Sequence, residues 1–144
     1  MKISKALKEK NKLIKELNML MSKAQENNSL LEGKTRSYNP REIINKIKSK
    51  IHELVDLKTK ISLANNPIQS KIYRLSELKS LSGNIKGMST DDGPKESSWR
   101  ERDEMIIYTS VIKDIERDEM IQDIENEIEK IQEELDVYNH ITDI

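Results

Sequence analysis

Two histidines are the first residues to test for chemistry, because imidazole titrates near neutrality and ligates metals. His52 has Asp56 about one helical turn away, and His140 lies among Glu134, Asp136 and Asp143. A metal site needs three or four converging ligands, and neither histidine has a second His or any Cys beside it. Charged residues make up 35% of the chain, so carboxylates near a histidine follow from composition alone. Ser residues are plentiful, but none sits in a Gly-flanked nucleophile elbow. Gly83, Gly87 and Gly93 match neither a phosphate-cradling loop nor a dinucleotide fingerprint. Asp91-Asp92-Gly93 begins like a calcium loop, yet Pro94 and the missing terminal bidentate Glu make it a surface turn. The residues therefore indicate a non-enzyme with no metal and no cofactor.

Cations are the chemistry present in quantity. Lys2, Lys5, Lys8, Lys12 and Lys15 recur near the start, and Lys46, Lys48 and Lys50 follow later. Lys8, Lys12, Lys15, Lys46 and Lys50 on a paired helical hairpin would track a phosphate backbone, which makes RNA or DNA the alternative partner. No aromatic side chain is interleaved to stack bases, and the formal net charge is only −1. That small total hides a split. Residues 1–90 carry 19 Lys and Arg against 8 Asp and Glu, a net of +11, whereas residues 91–144 carry 6 against 18, a net of −12. Either the halves serve as one another's counterions or one half recruits a partner. The first reading places Glu125, Glu129 and Glu133 against the first or second helix.

The elements that would carry these residues are helical. Ile3, Leu7, Leu13, Ile14, Leu17, Leu20, Met21, Ala24 and Leu31 are mostly three or four apart, which predicts a helix over about 4–31 with Gly33 as its stop. Asn39 caps the next helix, over 40–64, with Pro40 at its first position. Ile44, Ile47, Ile51, Leu54, Lys58 and Ile61 step 3, 4, 3, 4 and 3, a heptad seam with one Lys in it. Asn65-Asn66-Pro67 is read as its end. Ile68, Ile72, Leu75, Leu78 and Leu81 predict a shorter helix over 68–82, and residues 89–98 a mobile loop. Residues 105–112 are rich in Ile, Val, Thr and Tyr, which suits a short extended segment as well as a continuing helix. Ile121, Ile124, Ile128, Ile131, Leu135 and Tyr138 keep a strict 3–4 rhythm for a last helix over 114–139, with Asp114 as its cap. Ile51, Leu54, Ile128 and Ile131 are each mid-seam and are expected to be buried. Glu101-Arg-Asp-Glu-Met-Ile106 recurs as Glu116-Arg-Asp-Glu-Met-Ile121, fifteen residues on, a spacing that would show both copies on one helical face. Trp99, the one Trp, reads as a packing anchor at a loop edge.

With 144 residues, 35% apolar content and no Phe, the chain suits a thin helical seam better than a thick globular core. The absence of Cys fits a reducing cytoplasm. No apolar run reaches the length of a membrane span or a signal peptide, and the first helix lacks Trp or Phe for lying on a lipid surface.

The chain also resembles a septicolysin-like family of short bacterial and phage-borne helical proteins of unknown function. The likeness lies in Lys2-Ile-Ser-Lys-Ala-Leu7, Asn65-Asn66, Leu75 to Leu81, Tyr108-Thr-Ser-Val-Ile112 and Leu135-Asp-Val-Tyr-Asn-His-Ile-Thr142. Pro67 departs from the family's pattern by replacing the usual polar turn after the Asn pair. The resemblance implies a helical bundle with room for a small extended element near the C-terminus, and it brings no catalytic residues.

Together these readings predict one all-α domain over 1–144, an antiparallel coiled-coil bundle of three to four helices. Its function would be that of a cytoplasmic scaffold or interaction module, most naturally a homo-oligomer. The expected interaction seam is Ile44, Ile47, Ile51, Leu54 and Ile61 with Ile121, Ile124, Ile128, Ile131 and Leu135, and Lys58 helps to set its register.

Overall fold

The computed structural model describes residues 1–96 and 105–144. About three-quarters of the described residues are helical, and a small two-stranded sheet accompanies them. In chain order the elements are α1 (Ile3–Asn28), α2 (Pro40–Asn65), a 3-10 turn (Asn66–Ile68), α3 (Gln69–Lys86), β1 (Gly93–Glu96), β2 (Met105–Tyr108) and α4 (Asp114–Ile141). They divide into two compact units, residues 1–69 with 136–144 and residues 70–135.

The first unit is a helical hairpin with a third helix end docked on it. α2 starts as its residues dictate. The Asn39 side chain accepts a hydrogen bond from the Arg41 N–H at 3.0 Å, and Pro40 occupies the first turn, where no intrahelical partner is lost. α1 ends at Asn28 rather than Leu31, so Gly33 is not its stop. Arg36 sets the end instead: its guanidinium donates to the Asn27 and Asn28 carbonyls at 2.9 and 3.0 Å, satisfying acceptors that a helix end leaves open. Gly33 serves the turn beyond, at φ 89°, a conformation that a Cβ would strain.

α1 and α2 pack through rows that step by three and four. On α1 the buried or half-buried row is Ile3, Ala6, Lys10, Leu13, Leu17, Leu20, Ala24 and Asn27; on α2 it is Ile43, Ile47, Lys50, Leu54, Leu57, Ile61 and Ala64. Ala24, Ile43 and Ile47 form a buried cluster flanked by Leu17 and Leu20. Three members of the expected α2 seam are thereby corrected by one position each. Ile43 is 8% exposed while Ile44 is 43% exposed, Ile51 is 45% exposed while Lys50 lies inward, and Leu57 rather than the exposed Lys58 completes the row. Ile47 and Ile61 are buried as expected, and Leu54 is half-buried.

At the other end of this unit, α4 meets the start of α1. The Ile3 N–H donates to the Thr142 carbonyl at 3.0 Å and the Ile144 N–H to the Met1 carbonyl at 2.9 Å. Tyr138 Oη donates to the Ala64 carbonyl at 2.7 Å, tying α4 to the end of α2. Ile3 and Ala6 are fully buried here. α2 ends at Asn65, at the Asn65-Asn66-Pro67 stop that the sequence predicts, and a 3-10 turn over Asn66–Ile68 follows before α3. Pro67 sits in that turn's first positions, where its missing N–H is tolerated.

In the second unit, α3 buries Leu75, Leu78 and Ser82, with Ile72 and Ile85 half-buried. Leu81 was expected in this row and is exposed, because two consecutive steps of three drift off a 3.6-residue face and Ser82 takes the place. α4 keeps the expected register, with Ile131 and Leu135 buried and Ile121, Ile124 and Ile128 half-buried. Asp114 is the first helical residue of α4 rather than a cap outside it. β1 and β2 pair antiparallel, Gly93 opposite Tyr108 and Lys95 opposite Ile106. Residues 93–96 are therefore strand rather than loop, and 105–108 are extended. Met105 and Ile106 belong to β2 while Met120 and Ile121 lie in α4, so the repeated hexapeptide does not present one helical face. Its remaining first-copy residues, Trp99, and the end of the expected loop at residues 97 and 98 lie outside the described residues.

This register predicts a contrast between neighbouring isoleucines. Ile47→Ala should destabilise the fold by about 2–5 kcal/mol, and Ile51→Ala by less than about 1 kcal/mol, in urea unfolding of the dilute, monomeric chain followed by circular dichroism. Equal losses at both positions would contradict the register.

Candidate interaction surface

The charged residues lie on identifiable faces of the hairpin. Lys5, Lys8, Lys12 and Lys15 step by three and four along the outer face of α1 and are all exposed. Lys50, by contrast, reaches across the seam and donates to Glu16 Oε2 at 2.8 Å. That hydrogen bond holds the Glu16 carboxyl below its usual range and the Lys50 ammonium above its own. Lys46 is exposed on α2. The five lysines read as a phosphate-tracking set therefore do not act alike: Lys8, Lys12, Lys15 and Lys46 face solvent, and Lys50 is engaged inside the hairpin.

The acidic helix finds its partners on α3. Lys71 pairs with Glu134 at 2.6 Å, Arg74 with Glu127 at 2.6 Å and Lys86 with Glu125 at 2.5 Å. Glu125 thus lies near a lysine as expected, but the lysine is on α3 rather than on α1 or α2. The Lys71 ammonium keeps the Glu134 carboxyl low, and the Glu127 carboxylate raises the Arg74 guanidinium. Beside Ser82 and Gly83, an open groove of about 710 Å³ runs between Lys79 and Lys86 on α3 and Glu125 and Glu129 on α4. Charged residues of both signs line it.

The two histidines stay apart from these features. His140 Nδ1–H donates to the Asp136 carbonyl at 2.7 Å, one turn back in its own helix, and His52 is exposed. Among the described residues, no three His, Asp or Glu side chains are grouped to hold a metal ion.

A large exposed apolar surface remains. Among the described residues, nineteen large apolar side chains are exposed, against eleven apolar residues buried. On the hairpin these include Met21, Ile44, Ile51 and Val55; near the sheet they include Ile107, Val111 and Ile115. The start of α4 and the strands thus carry apolar surface that the 3–4 rhythm did not reveal. The signal available was Val111 and Ile115 lying off the seam spacing. No described helix is long and apolar enough to cross a membrane.

The junction of α1 and α4 is built from polar contacts with a pH signature. Lys2 Nζ donates to Asp143 Oδ2 at 2.7 Å and to the Ile141 carbonyl at 2.9 Å, placing a cation at the negative end of α4. The Lys2 hydrogen bond lowers the Asp143 pKa. A depressed carboxylate contributes stability that is present above its unfolded pKa and is lost as pH falls through the folded value. Acidification below about pH 4 should therefore loosen this junction, seen as movement of the Ile3 amide resonance. Asp143→Asn should remove that pH dependence; an unchanged titration at Ile3 would show that Asp143 plays no part.

A scan against protein-family models and searches of curated proteins and of solved structures returned no match to this chain.

Proposed function

We propose that this chain is a helical scaffold or protein-interaction module that works by self-association through antiparallel coiled-coil packing. The observation that carries this reading is the ratio of exposed to buried apolar side chains. Isolated surface apolar residues are ordinary, but aliphatic residues grouped along helix faces mark association surfaces. The seam itself is thin, since Lys10, Lys50, Asn27 and alanines occupy part of it. Apolar burial scales with area, so such a seam gains from a further layer. The septicolysin-like resemblance implies the same helical architecture and supplies no residue roles, so the proposal rests on these faces.

The outward lysine stripe on α1 favours a second reading, RNA or DNA binding by phosphate neutralisation. Lys50 is absent from that stripe and no aromatic side chain accompanies it.

Sedimentation of the chain over a range of concentrations, with and without a short duplex RNA, separates the two. The scaffold reading expects mass to rise with concentration while the RNA stays free at physiological salt. A constant monomer mass, together with an RNA shift that falls steeply with salt and is abolished by reversing Lys8, Lys12 and Lys15 to Glu, would replace it with the second reading.

A further inference from the structure

The hairpin has two unlike flanks on either side of its seam. One carries Glu9, Glu16 and Lys23 from α1 with Lys46, Glu53 and Lys60 from α2, the charged border usual beside a helix–helix seam. The opposite flank carries Leu7, Ile14 and Met21 from α1 with Ile44 and Ile51 from α2. Along its outer edge α1 places Ser4, Asn11, Asn18 and Gln25, and α2 places Lys48, Val55 and Ser62. Apolar residues on one flank in addition to the seam mark a helix that belongs to a larger bundle. Met21 is 45% exposed, and Ile44, Ile51 and Val55 are exposed with it, so this flank is open.

The charge pattern selects what covers it. The strip on α1, from Ser4 through Leu7, Asn11, Ile14, Asn18 and Met21 to Gln25, holds no charged residue in a helix that carries nine elsewhere. The matching strip on α2 holds Arg41, Lys48 and Lys58 and no acid. Two α2 strips laid together would oppose lysines, whereas an α1 strip offers the amide oxygens of Asn11 and Asn18 to them. The levels also agree. Glu16 beside Lys50 marks the antiparallel register, and equal rise along both helices then brings Asn18 level with Lys48, and Ile14 and Met21 within one residue of Ile51 and Ile44.

We infer that this flank is the homotypic docking surface of the chain: a second copy packs on it about a two-fold axis parallel to the helices, α1 of each copy over α2 of the other. Ile14 then meets Ile51 of the other copy, Met21 meets Ile44, and Asn18 meets Lys48. An isologous contact of this kind closes as a four-helix dimer and leaves no apolar flank open. The inference rests on the self-association reading and adds its surface.

The chain has no cysteine, so introduced thiols report alone. Asn18→Cys and Lys48→Cys lie on the outer edges of the flank, on different helices, and both positions are exposed. A mixture of the two single variants under mild oxidation should form the 18–48 heterodisulfide at least about tenfold faster than either forms its own homodisulfide, with Lys12→Cys on the outer face unreactive. Ile51→Glu should weaken dimerisation about a hundredfold or more in sedimentation while helicity is retained, because it buries an unpaired carboxylate. A dimer that survives Ile51→Glu, or a heterodisulfide no faster than the Lys12→Cys control, overturns this surface and leaves self-association through another face standing. A native chain that stays monomeric at all concentrations overturns the surface and the self-association reading together.

Discussion

An α-helix leaves N–H groups unpaired at its start and carbonyls unpaired at its end, and here the start of α1 and the end of α4 answer one another. The Ile3 N–H takes the Thr142 carbonyl, and Lys2 takes the Ile141 carbonyl together with the Asp143 carboxylate. The positive end of one helix dipole thereby faces the negative end of another. This exchange makes residues 136–144 part of the same compact unit as residues 1–69. Ile3 and Ala6 are the most deeply buried residues of α1 because the end of α4 closes over that end of the hairpin. Farther along the hairpin the seam passes through Lys10 and Lys50, and burial is correspondingly shallower.

Part of the charge split is answered across the two parts of the sequence, through Lys2 with Asp143 and through α3 with α4. Glu16 is matched by Lys50 within the hairpin, and Glu134, Glu127 and Glu125 of α4 are matched by Lys71, Arg74 and Lys86 of α3. Exposed pairs of this sort contribute little to stability, so they orient helices more than they hold them. The lysines left outward on α1 keep that face hydrated. The one flank without this border is the uncharged strip of α1 beside Ile44 and Ile51, and it is the flank on which a second layer of helices encounters the least desolvation of charge.

Much of the architecture was legible in the residues. Asn39-Pro40 starts α2 and Ile121 to Leu135 sets the α4 row, because each signal is local and undiluted, whereas the composition of residues 105–112 suits a helix as well as the strand found over Met105–Tyr108. The α2 row was legible only to within one position. Ile43 and Ile44 are both apolar, Lys50 precedes Ile51, and Leu57 precedes Lys58, so two heptad registers fit the same segment. Favouring apolar residues everywhere selects Ile44 and Ile51, whereas the hairpin turns Ile43 and Lys50 inward because Glu16 is there to meet the lysine. Arg36 closing the end of α1, and residues 1–3 pairing with 142–144, had no local signature at all, since both depend on partners brought close only by folding. Asn65-Asn66-Pro67 marks the end of α2, and the 3-10 turn that follows holds Pro67 in its first positions, where a missing N–H is tolerated.

The most direct measurement of the central claim is a pulsed electron–electron dipolar distance on the chain carrying a single nitroxide at Asn18→Cys. One label per chain yields a distance only between copies. The flank-to-flank dimer places the two α1 helices diagonally across a four-helix bundle, so the account predicts a narrow distribution centred at roughly 15–25 Å. A signal with no dipolar modulation at concentrations where the chain sediments as a dimer, or a broad distribution well beyond that range, would contradict it.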